Sequence, residues 1–230
     1  MKKYLYNLLL LLRNINNYGI SIFFKIIFFE IYNILKFWDF SSIVYEDKKA
    51  NTYEFTKQSK TYNTPYIPTP YYFLGIVSNF LKKKKINNFI FLDLGCGYSR
   101  TQNYFSRCFK QFFLGVDLNK KIILFLKERK IKNSLFFNLN IRKKKNIDFL
   151  IKKIVKLRGN RKLIVFFSDS FDLILLNRVL KSFSNKLNFY CILINVKNQN
   201  FLSARYKRLF FKKFNNRQRN IKIIKIYGKK

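Results

Sequence analysis

Two strongly apolar stretches open the chain, YLYNLLLLLR (4–13) and GISIFFKIIFFEIYNIL (19–35). A bilayer-spanning helix needs ~20 mostly apolar residues. The first stretch is too short, and Lys25 and Glu30 interrupt the second. Residues 1–38 are therefore expected to form one or two amphipathic helices, either packed on the rest of the protein or lying on a membrane surface. No small-residue cleavage site follows the first stretch, which argues against a secretory signal. Residues 39–65 are polar and lack a period, as a connecting segment would. All three prolines fall between Pro65 and Pro70, in TPYIPTPYY, where fixed φ values favour a stiff extended turn. Phe73, Leu74, Ile76, Val77, Phe80 and Leu81 then recur at helical spacing. That helix ends in the run Lys82 to Lys85, cations that complement a helix C-terminus.

From residue 89 the pattern alternates. Short apolar runs at 89–94, 112–116, 134–137, 171–177 and 189–196 predict strands, and 221–228 alternates as an edge strand would. Between them, 100–111 reads as helical, and 119–130 reads as a helix opened by the cap residue Asn119. Regular alternation of strands with helices predicts an α/β fold: a Rossmann-like, doubly wound and mostly parallel sheet with helices on both faces, preceded by N-terminal helices. The expected organisation is an N-terminal helical and connecting segment over 1–64 and one α/β domain over 65–230.

Charge changes this picture more than composition does. Abundant Phe, Tyr, Ile, Lys and Asn match what an AT-rich coding sequence favours, but 47 Lys and Arg stand against only 11 Asp and Glu, for a formal charge of +36. No acidic residue occurs between Leu173 and Lys230. Such a field attracts polyanions: nucleic acid, an anionic membrane surface or an acidic protein. The chain holds no histidine, and its three cysteines lack metal-type spacing, so a Cys/His zinc site and a histidine base are excluded and no metal is expected. Nothing resembles a disulfide framework, which implies a reducing, cytoplasmic setting.

The candidate chemistry sits in FIFLDLGCGYSR (89–100). In an open parallel sheet the first strand–turn–helix unit supplies the floor of the ligand site. Gly95 and Gly97 permit a tight turn and close backbone approach. Asp117, in FFLGVDLNK, stands about 20 residues on, at the end of the next strand, where an acid can hold a ribose diol. A dinucleotide reading requires a small residue where Arg100 stands. Asp93 would also place a negative charge in the turn, which suits a cationic amino-acid ligand better than phosphates.

This pattern resembles the first motif of the class I S-adenosylmethionine-dependent methyltransferases, with Ser99 replacing the third glycine. The resemblance implies S-adenosylmethionine as cofactor, with Asp93, Gly95, Cys96 and Gly97 around its methionine part and Asp117 on the ribose hydroxyls. FFNLNIR (136–142) resembles the segment that meets the adenine amino group, which implies that role for Asn140. SDSFDLILLN (168–177) resembles the fourth strand, whose end faces the transferring methyl, which makes Asn177 a wall of the acceptor pocket. YIPTPYYFLGIVSNF (66–80) resembles the Tyr–x–Pro–Thr segment of a subgroup that includes lysine methyltransferases acting on a small membrane-embedded ATP-synthase subunit. By that likeness Tyr66, Pro68 and Thr69 form a lid, with Tyr66 beside the chemistry.

Methyl transfer by in-line displacement needs alignment and desolvation more than a dedicated base. The acceptor is left open among protein lysine, lipid, small molecule and RNA. The asparagine-proline-proline-aromatic tetrapeptide of many amino-directed nucleic-acid methyltransferases is absent, since LLNRV follows the apolar run. The alternative is a non-catalytic basic protein of the same fold that binds RNA or an anionic membrane surface.

Overall fold

The computed structural model describes residues 15–16, 18–37, 69–168, 173–195, 205–214 and 220–228. Helix α1 spans Ile20–Phe37 and helix α2 Tyr71–Lys83. The sheet then builds as β1 (Phe89–Leu94), α3 (Arg100–Cys108), β2 (Phe112–Asp117), α4 (Lys120–Glu128) and β3 (Ser134–Asn138). It continues through α5 (Lys144–Arg158), β4 (Lys162–Phe167), α6 (Leu173–Ser184), β5 (Phe189–Ile194), β6 (Tyr206–Lys213) and β7 (Asn220–Ile226). The seven strands lie in the order β3-β2-β1-β4-β5-β7-β6. Strands β1 to β5 pair in parallel, whereas β7 runs antiparallel to both β5 and β6. Strand order reverses where β1 pairs with both β2 and β4, the crevice position of doubly wound sheets.

The two-residue period of β1 divides the core. Ile90, Leu92 and Leu94 enter one apolar cluster with residues of α5 and α6, including Ile151, Leu176 and Phe183. Phe89 and Phe91 enter the other, with Phe73, Leu74 and Val77 of α2 and Phe105 of α3. Asp93 shares the parity of Phe89 and Phe91, so its carboxylate emerges beneath α3.

Helix α1 packs on the domain. Tyr18 and the partly buried Ile22, Ile26 and Phe29 join the cluster beneath α2. Its other face, Ile20, Phe24, Phe28, Ile31 and Leu35, follows helical spacing and is exposed, with Leu35 73% accessible. The expected amphipathic helix is present, and its apolar surplus faces outward.

Two expectations need correction. The run FDLILLN is not the fourth strand: Leu173–Ser184 is helix α6, which buries Leu175, Leu176, Val179, Leu180 and Phe183. A short continuous apolar run has no period that separates a buried strand from a buried helix. The fourth strand is KLIVFF at 162–167, richer in β-branched and aromatic residues. The segment at 221–228 is not an edge strand either, because β7 sits between β5 and β6 and is buried along most of its length. The edge on that side belongs to β6, and β3 forms the opposite edge.

Candidate functional site

The turn after β1 is held by backbone geometry that its glycines allow. Gly95 and Gly97 both have positive φ, 77° and 48°, conformations that a Cβ would strain. The amides of Gly95 and Cys96 both donate to the Val116 carbonyl, at 2.8 and 3.0 Å, which fixes the turn against β2. Ser99 also adopts a left-handed conformation, φ 64°, so the position of the absent third glycine keeps a glycine-like backbone. Its hydroxyl donates to Gln102 Oε1 at 2.6 Å instead of capping α3.

Asp117 ties the two strand ends together. Its Oδ2 accepts from the Gly97 amide at 2.9 Å and its Oδ1 from the Asn119 amide at 2.8 Å. Asn119 then caps α4 by accepting from the amides of Lys121 and Ile122. Each carboxylate oxygen has a second lone pair, so Asp117 can still accept from a diol. Asp93 is 6% exposed and accepts a hydrogen bond from the Thr101 hydroxyl in the first turn of α3. Burial, joined by the nearby Asp117 charge and opposed by the Thr101 hydrogen bond, raises its pKa to about 7. Burial likewise raises Asp117, opposed by the amides it accepts from. Burial, then the Asp117 and Asp93 charges, push the Cys96 thiol well above its usual value, so Cys96 contributes a neutral wall.

Two residues shape the floor beside this turn. A Cβ on Gly115 would lie 2.6 Å from Phe136 Cδ1 and 3.0 Å from Cys96 Sγ, so glycine here makes room for the Phe136 ring. Asn138, at the end of β3, donates to the carbonyls of Asp117 and Leu118 at 3.1 and 2.7 Å, pinning the carrier of the acidic group.

Arg100 opens α3 and is 2% exposed. Its Nη1 pairs with Glu30 of α1 at 2.9 Å, and its guanidinium carbon lies 4.5 Å from the centre of the Tyr71 ring. Glu30 Oε1 also accepts from the Tyr71 amide at 2.9 Å, at the start of α2. One carboxylate thus joins α1, α2 and α3 next to the turn.

The expected site residues do not all come together. Asp93, Gly95, Cys96, Gly97 and Asp117 converge on the turn between β1 and β2. Asn140 lies beyond β3, where its Oδ1 accepts from the Arg142 amide at 2.9 Å and keeps a second lone pair. The Thr69 carbonyl accepts from Arg100 Nη1 at 3.4 Å, which brings the segment before α2 to the start of α3. Tyr66 and Pro68 lie outside the described residues. Asn177 lies within α6 instead of at a strand end, which removes the placement that made it a pocket wall. Sequence reading missed Thr101, Asn138 and the Glu30–Arg100 pair. Thr101 stood in the first turn of the helix over Asp93, a detectable relation. Glu30 gave only the signal of a lone acid in an apolar helix.

No family model and no curated protein matches the sequence. Solved structures do match in fold. A putative methyltransferase, yhhF from Escherichia coli, superposes with a TM-score of 0.52 at 15% identity, over 73% of this chain and 92% of that one. A mutant of MtNAS, solved in complex with S-adenosylmethionine, gives a TM-score of 0.48 at 10% identity, over 68% of this chain and 62% of that one. An S-adenosylmethionine-dependent methyltransferase from Aquifex aeolicus gives 0.44 at 12% identity, over 64% and 87%. With its 3-2-1-4-5-7-6 sheet and its glycine turn at the strand-order reversal, this chain has the Rossmann-like fold of the class I methyltransferases.

Proposed function

We propose that this protein is an S-adenosylmethionine-dependent methyltransferase. The observation that carries the reading is electrostatic. A chain of charge +36 places two of its 11 acidic residues, both with pKa values raised by burial, at one glycine turn. Two buried carboxylates with no salt-bridge partner among the described residues are a poor site for phosphates and a favourable one for a cationic ligand. S-adenosylmethionine carries an ammonium and a sulfonium beside its carboxylate, and the donor and acceptor set fits it.

When bound, that cofactor would supply a methyl group on a positively charged sulfur, open to in-line attack. Asp93, with the turn of Gly95, Cys96 and Gly97, would hold the amino-acid part, and Asp117 would accept from the ribose hydroxyls. Asn140 remains the candidate for the adenine edge through its amide. Thr69 and Tyr66 belong to the proposed lid, and lid closure would exclude water from the reacting pair. A cation arriving beside Asp93 restores its ionised form, so part of the binding energy is spent on deprotonating a buried acid.

The acceptor follows from a second observation. Among the described residues no helix is long and apolar enough to cross a membrane. Yet α1 exposes the stripe Ile20, Phe24, Phe28, Ile31 and Leu35 on a strongly basic protein. That combination suits peripheral contact with an anionic lipid surface and favours a membrane-adjacent protein or lipid acceptor over RNA or a soluble small molecule. Flotation with vesicles containing phosphatidylglycerol tests the contact: Phe24→Ser/Phe28→Ser should lose binding, and wild-type binding through this variant would discard it.

For the cofactor, calorimetric titration with S-adenosylhomocysteine should show Asp117→Ala weakened ~10- to 100-fold, the range of hydrogen bonds to a charged group. Unchanged affinity in a folded variant would reject the ribose assignment.

A further inference from the structure

Arg100 carries hydrogen-bonding capacity that the protein does not use. Its side chain is 2% exposed. Nη1 serves Glu30 and the Thr69 carbonyl. Nε and Nη2 are buried and have no hydrogen-bond partner among the described residues. These two atoms form one edge of the guanidinium plane, whose parallel N–H groups match the two oxygens of a carboxylate. Leaving two donors of a buried cation unsatisfied is costly, and such groups ask for an explanation in function. Glu30 already holds the opposite side of the plane, and Tyr71 lies over its face. The unpartnered edge is therefore held in orientation by α1 and α2.

Along the chain it follows the glycine turn directly. Arg100 is the first residue of α3, and the next residue, Thr101, donates to Asp93. The Ser99 side chain turns to Gln102 and leaves the start of α3 without a side-chain cap. A helix N-terminus and a guanidinium edge both favour an anion. Resting on the cofactor reading above, we infer that the Nε/Nη2 edge of Arg100 receives the α-carboxylate of the cofactor's methionine part. Opposite charges of one zwitterion are then read by opposite groups: the ammonium by Asp93 and the turn, the carboxylate by Arg100. Glu30 acts through Arg100 as a positioning residue.

The test compares S-adenosylhomocysteine with its decarboxylated analogue, S-adenosyl-3-thiopropylamine, by calorimetry. Wild type should prefer the carboxylate-bearing ligand by ~10- to 100-fold, as expected for paired hydrogen bonds to a charged group. In Arg100→Met the preference should collapse, while affinity for the amine analogue is kept. Arg100→Lys, which keeps the charge but not the fork, should fall between. A variant that keeps the full wild-type preference overturns the assignment. Because Arg100→Met could unfold, wild-type protein supplies a second readout. The buried Arg100 Nε–H resonance, slow to exchange, should shift on adding S-adenosylhomocysteine and stay in place with the analogue. The same shift with both ligands, or with neither, would overturn the assignment. Failure of wild type to bind either ligand would instead sink the cofactor reading, and this inference with it.

Discussion

Asp93→Asn should stabilise the ligand-free protein, increasingly so as pH rises. In the folded chain the carboxyl is held near 7 by burial, against an ordinary value of 3.8. Between those values the folded state keeps a proton that the unfolded chain releases. Folded molecules then bind more protons than unfolded ones, so this group lowers stability as pH increases from about 4 to about 7. At 1.36 kcal/mol per pH unit, the cost is ~2 kcal/mol at pH 5 and ~4 kcal/mol at pH 8. Asparagine removes the charge while its amide oxygen can still accept from Thr101. The quantity to measure is the change in the variant's advantage between the two pH values, because any pH-independent loss of contacts cancels. Urea unfolding of both proteins at pH 5 and pH 8 should show that advantage growing by ~2–3 kcal/mol. An advantage that is flat with pH would refute a neutral, buried Asp93. The same charge should be needed for the cationic cofactor, so the stabilised variant should bind S-adenosylmethionine more weakly. Wild-type affinity should rise between pH 6 and pH 8 as Asp93 becomes easier to ionise.

Three further outcomes follow from the packing around the turn. Gly115→Ala would push a Cβ into the Phe136 ring and the Cys96 sulfur, and overpacking of this kind costs ~1–3 kcal/mol. Thermal unfolding should show that loss, with partial recovery in Gly115→Ala/Phe136→Leu; no loss in the single variant would mean that the ring moves freely. Glu30→Ala leaves a buried guanidinium without its counter-ion, for which ~3–5 kcal/mol is expected. Urea unfolding of Glu30→Ala/Arg100→Met should recover part of this, since both charges are then gone; equal or greater loss in the double variant would show that the two side chains act independently. Gly97→Ala forces a Cβ onto φ 48°, and a left-handed non-glycine residue costs ~1–2 kcal/mol. Its unfolding midpoint should fall, and S-adenosylhomocysteine affinity with it; wild-type values of both would remove the requirement for glycine in the turn.

The sequence carried the turn well because its constraints are local. Gly95 and Gly97 mark positive φ, and Asp117 follows at the end of the next strand, so strand, turn and acid could be read within about 30 residues. Asn119 announced its own cap. Runs buried on every side were harder. The α6 residues Leu173–Leu176 are as continuously apolar as a strand, and only the later Val179, Leu180 and Phe183 restore the helical period. Strand order was not legible for β6 and β7, because antiparallel insertion of β7 depends on pairing partners and not on its own alternation. The link from Glu30 to Arg100 crosses 70 residues and leaves no periodic trace. Asn177 was placed through the strand misreading and moved with it.

The central claim is that the carboxylate-lined glycine turn holds S-adenosylmethionine. Calorimetric titration of the wild-type protein at moderate salt, with S-adenosylmethionine and separately with NAD, tests it most directly. Saturable, micromolar binding of S-adenosylmethionine is expected, weakened in Asp93→Asn, with no binding of NAD. Binding of NAD alone, or of neither ligand by a folded protein, would contradict the claim.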